Sequence, residues 1–130
     1  MGPAERNNFD ASLERILDAL PETYRAMLEE APLIVDDRPS PELLQQLGMH
    51  DDEILCGLHS GIPLTEQTHD QATALPAVMH LFREDIVDHA GGWDIDDGAA
   101  VEREVRITLL HEMGHHFGLD EEDLRRLGYE

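Results

Sequence analysis

Residues 98–117 constrain this chain more than any other stretch. Their apolar positions recur at helical spacing, Asp96 and Asp97 stand where the positive end of a helix dipole favours acids, and Gly118 supplies a stop. From Ile107 to Phe117 the only charged or titratable residues are His111, Glu112, His115 and His116. Around a helix, Leu109, Leu110, Met113 and Phe117 form one broad apolar face, while His111, Glu112 and His115 fall within about 100° of one another on a different one. The pattern predicts a long helix that is mostly buried and gathers its polar groups into one patch.

That patch reads His111-Glu112-Met113-Gly114-His115, an HExxH motif. Side chains at i and i+4 point the same way about one helical pitch apart, so two imidazoles can grip one metal ion. Glu112 follows the first imidazole, so its carboxylate reaches beside the metal rather than onto it. From there it can take a proton from a water held by the metal, whose pKa zinc lowers to about 7.

The remainder of the chain reads as a mixture of short elements. Phe9 to Glu30 carries helical spacing interrupted at Pro21, which predicts two helices or one kinked helix. Leu33-Ile34-Val35 is a strand candidate. A short helix follows, capped by Ser40, with Pro41 at its first position and Gly48 at its close. Ile54 to His59 is a second strand candidate, turning at Ser60-Gly61 before Ile62-Pro63-Leu64, and residues 65–76 read as a polar loop. Val78 to Phe82 is a third strand, with Met79 and Leu81 opposite Val78, His80 and Phe82. Glu84 to His89 forms a turn of helix stopped by Gly91-Gly92, and Glu121 to Leu127 a short acidic helix. Without clear βαβ alternation, these elements predict a single-domain α+β fold over residues 1–130, a small mixed sheet packed on helices.

Charge excludes several function classes. The chain carries 29 acidic and 9 basic residues, a formal charge of −20, and would repel nucleic acid and anionic lipid alike. Every basic residue is Arg, so Schiff-base chemistry and a P-loop Lys are absent. Cys56 is the only cysteine and excludes an internal disulfide. No apolar signal core or membrane-spanning run is found, which sets a cytoplasmic expectation. Asp94 to Gly98 resembles a calcium loop but has Gly98 one place early and Val105 where the bidentate Glu belongs.

The stretch HEMGHHFGLDEEDLRRLG, with the short α/β portion before it, resembles the small bacterial zincin-like metallopeptidases, or minimal zincins, whose pattern is HExxHxxGxxD. The resemblance implies a zincin-like fold around a central HExxH helix. It also implies one zinc ion on His111 and His115, Glu112 as general base and Gly118 as the turn. The slot filled by Asp in that pattern is Glu121 here, with Asp120 immediately before it. Glu121 is the first choice for third ligand, Asp120 the next and Asp123 the third, all being hard oxygen donors suited to zinc. In zincins a peptide lies extended beside an edge strand, and by resemblance residues 77–83 would be that strand.

Other histidines have simpler readings. His116 points about 100° away from His115 and is expected to cap a packing face or bond a carbonyl. His50, His59, His69 and His89 are expected at the surface, and His80 could project into a cleft and polarise a carbonyl. Glu104, seven residues before His111, is read as a solvated charge or a partner for that imidazole.

The expected function is zinc-dependent hydrolysis of peptide bonds in a peptide or protein substrate, cationic if charge selects it. The competing reading is a metal-binding or protein-interaction module that keeps the fold without the chemistry. A catalytic metal needs an exposed open position and a structural one does not.

Overall fold

Pro21 divides the amino-terminal helical stretch, as its missing N–H requires. In the computed structural model, which describes residues 1–60 and 78–127, α1 spans Pro3–Ala19 and α2 spans Glu22–Met27. Strand β1 is Leu33–Asp36 and helix α3 is Pro41–Gln46. Ser40 caps α3, its hydroxyl accepting from the Leu43 N–H at 3.1 Å. Strand β2 is Gly57–Ser60, β3 is Val78–Phe82, and α4 runs directly from it over Arg83–Ala90. Helix α5 spans Ala99–Phe117 and α6 spans Glu121–Arg126. Ile62-Pro63-Leu64 and the loop expected over 65–76 lie outside the described residues.

Strand β2 begins at Gly57, three residues later than its apolar run predicts, because the Leu55 N–H is committed elsewhere. It donates to Asp85 Oδ2 of α4 at 2.8 Å. Asp85 is buried; burial raises its pKa, and the Leu55 N–H opposes the rise. The segment leading into β2 is thereby anchored to α4.

The sheet has the order β1-β3-β2 among the described residues, with β1 parallel and β2 antiparallel to β3. This corrects one expectation. Residues 78–82 form the central strand, hydrogen-bonded on both sides, and have no free edge to offer a peptide. Among the described residues β2 is an outer strand, and like β3 it packs against α5.

Alternation along β3 sorts the two faces of the sheet. Met79 and Leu81 are fully buried and join Phe9, Leu13 and Ile16 of α1, Ile86 of α4, and Val101, Val105, Leu109, Leu110 and Met113 of α5 in one core. The opposite face bears the row Ile34–His80–Leu58. Outside this core, Asp37 follows β1 and ties it to α1 and α4: Arg6 and Arg83 both donate to its carboxylate, and Arg83 also reaches Asp10. Those donors hold the Asp37 carboxyl below the usual carboxylate range. The result is an α+β domain in which α5, packed by α1, α4 and the sheet, is the most buried helix.

Candidate active site

Gly118 ends α5 in the left-handed conformation, φ +67°, its N–H donating to the Gly114 carbonyl. The final turns of the helix therefore stay regular through His111, Glu112 and His115, and the i, i+4 geometry is realised. His111 Nε2 and His115 Nε2 stand 3.0 Å apart, with ring centroids 4.5 Å apart and the rings nearly edge-on. Both residues are exposed. Partial desolvation of its ring, and then the neighbouring His115, lower the pKa of His111 and favour the neutral imidazole that a metal requires.

Glu112 is placed differently. It is only 8% exposed, and burial pushes its carboxyl above the ordinary value, with His115 opposing. Raised proton affinity is the direction a general base requires. The wall over Glu112 is Gly57 of β2. A side chain there would meet Glu112 Cγ at 3.2 Å and Thr108 Cγ2 at 2.8 Å, so the missing Cβ is what lets the strand lie on the helix.

An open pair of imidazoles with a buried carboxylate beside it, on a helix backed by a small mixed sheet, suits hydrolytic metal chemistry. The family model for zincin-like metallopeptidases matches residues 28–129, most of the chain. The chain belongs to the zincin-like metallopeptidases. A comparison with curated proteins finds no match. Membership implies zinc binding and hydrolase chemistry, and no helix among the described residues is long and apolar enough to cross a membrane.

This zincin-like chain brings together two of its three expected ligands. Among the described residues no three His, Cys, Asp or Glu side chains converge in a way that could hold a metal. Asp120 is the N-cap of α6: its Oδ1 accepts from the Asp123 N–H at 2.8 Å, and Asp123 Oδ2 accepts from the Asp120 N–H at 3.2 Å. That capping box occupies both aspartates and lowers the pKa of Asp120, chiefly through the Asp123 N–H. Glu121 sits exposed at the first position of α6, outside the box.

Several histidines depart from their expected places. His80 lies on the sheet face away from α5, stacked on Phe82 in a cleft of about 740 Å³ that Arg6, Asp37, Arg38 and Arg83 also line. It cannot reach the HExxH helix. Glu104 faces His89 at 3.8 Å rather than His111. His50 and His89 are exposed, as expected, and His69 lies outside the described residues. His116 is buried, but its partner is an imidazole instead of a carbonyl: His59 Nε2 lies 2.9 Å from His116 Nδ1. His59 is accordingly half-buried. Two signals for this seam were present in the sequence, the i, i+4 spacing of Glu112 and His116 and the i, i+2 spacing of Gly57 and His59. Nothing local says that the helix and the strand meet.

Proposed function

We propose that this chain is a zinc-dependent peptidase that cleaves peptide bonds, with zinc held by His111, His115 and Glu121. The observation that carries the reading is the convergence of two exposed Nε2 atoms at 3.0 Å on the helix that also carries the buried Glu112. Exposure of both imidazoles favours an open, catalytic arrangement over a closed structural one. For the third position, the capping box engages Asp120 and Asp123 and leaves Glu121 outside it.

Zinc, when bound, supplies a Lewis acid that acidifies water and polarises a carbonyl. Glu112 takes the proton from the attacking water and passes it to the leaving amine, so one carboxylate serves as base and then as acid. Its burial beside β2 raises its proton affinity, which suits it to that transfer. The substrate is a peptide or protein of cationic character, because a surface of formal charge −20 attracts such chains and repels nucleic acid and anionic membrane.

The test is metal content and turnover together. About one zinc per chain after purification without added metal, lost in His111→Ala, is the expected result. Glu112→Gln should keep the zinc and abolish cleavage of a basic peptide library at neutral pH. Zinc bound without any cleavage by the wild-type chain would favour the metal-binding module, while cleavage surviving in Glu112→Gln would refute the mechanism.

A further inference from the structure

Measured around α5 from His111, the residues Thr108, Glu112 and His116 lie at about 60°, 100° and 140°, on the flank between the exposed imidazoles and the apolar core face. Gly57 and His59 share one face of β2 and oppose them. Gly57 fits against Thr108 and Glu112, and His59 Nε2 meets His116 Nδ1 at 2.9 Å. The two rings are tilted 37° with centroids 5.0 Å apart, neither stacked nor edge-on, so the N···N contact rather than ring packing sets their geometry. His116 is 2% exposed, where an imidazole nitrogen that loses its partner gains no water in exchange. A neutral imidazole offers one donor and one acceptor nitrogen, so two such rings can share an N–H···N bond.

His116 directly follows His115 and lies one turn beyond Glu112. We propose that His59 and His116 are positioning residues: their bond locks β2 to the last turn of α5 and thereby holds His115 in the orientation that brings its Nε2 to His111. The inference rests on the reading of His111 and His115 as zinc ligands. It assigns to β2 a part in forming the metal site as well as in covering Glu112.

The chemistry of the side chains gives a discriminating test. A Gln amide at position 59 reaches about as far as histidine Nε2 and can keep the bond, whereas Asn stops a methylene short and Leu offers no polar atom. Zinc affinity is measured by competition with a chromogenic chelator for the wild type, His59→Gln, His59→Asn, His59→Leu and His111→Ala, with a thermal melt of each metal-free chain. His59→Asn and His59→Leu are expected to bind zinc about 10-fold more weakly, the low end of the loss usual when a group that orients a metal ligand is removed. His59→Gln is expected to stay within about threefold of wild type on the same basis.

Equal affinity in all three His59 variants overturns the positioning role, as does a Gln variant as weak as the Leu one. Should His59→Leu fail to fold, the Gln and Asn variants decide the matter by the same criterion. A wild-type chain that takes up no zinc overturns the metal site itself and the proposal with it, and is distinguished by making the His111→Ala comparison flat.

Discussion

Gly57→Ala tests the close approach of β2 to α5 by adding a single methyl group. The new carbon would lie 2.8 Å from Thr108 Cγ2, 3.2 Å from Glu112 Cγ and 3.2 Å from the His80 carbonyl oxygen. Carbon atoms in contact prefer about 3.5–4.0 Å, so the first approach is short by roughly 0.7 Å. Neither neighbour yields easily: Thr108 and Glu112 are both 8% exposed, and the carbonyl belongs to the hydrogen-bonded strand alongside. Overpacking of this kind costs about 1–3 kcal/mol. Gly57 is not in the left-handed region, so alanine also gains about 0.4–1 kcal/mol by restricting the unfolded chain. The net expectation is a loss of about 1–2 kcal/mol, which lowers Tm by roughly 3–10 °C in a domain of this size. Calorimetric melting of the metal-free protein measures it. Thr108→Ser removes the nearest carbon, so the double variant Gly57→Ala/Thr108→Ser should be more stable than the sum of its parts by about 1 kcal/mol. A Gly57→Ala protein that melts at or above the wild type, with no coupling to position 108, would refute the contact and the covering of Glu112 derived from it.

Two further outcomes follow from the same geometry. Glu121→Gln should weaken zinc binding at least about 10-fold, whereas Asp120→Ala should keep the zinc and lower fold stability by about 1 kcal/mol through loss of its cap. The reverse pattern in a chelator competition and a melt would transfer the ligand role to Asp120. Burial, then the charges of Asp85 and Glu104, push the Cys56 thiol up to about 11 from an ordinary 9. Its thiolate at pH 8 should therefore be about 100-fold scarcer in the folded chain than in the urea-unfolded one, and alkylation correspondingly slower. Because the folded pKa is the higher one, this thiol's contribution to stability is complete below pH 9 and lost as pH rises through about 11. Equal alkylation rates in the two states would show that Cys56 is not buried as described.

Local physics made much of the chain legible before any fold was known. Pro21 divides α1 from α2, Ser40 caps α3, and Gly118 stops α5, because each of these acts on its own backbone within a few residues. The alternation that buries Met79 and Leu81 is equally local. The same holds for the pair of imidazoles: an i, i+4 spacing on a helix places His111 and His115 side by side whatever surrounds it.

Contacts between elements distant in sequence were not legible. That β3 is the central strand depends on parallel pairing with β1 and antiparallel pairing with β2, and no pattern within residues 78–82 encodes its neighbours. Asp85 draws off the Leu55 N–H and shortens β2, a choice made across 30 residues of chain. The spacing 57, 59 on the strand and 108, 112, 116 on the helix marks two faces, yet it does not say that they touch. Chain order alone determined the pair of imidazoles, since i, i+4 geometry is intrinsic to a helix. Only the packing of β2 on α5 decided that Glu112 lies beneath Gly57 and that His59 faces His116, because burial and long-range hydrogen bonds exist only once the core has closed.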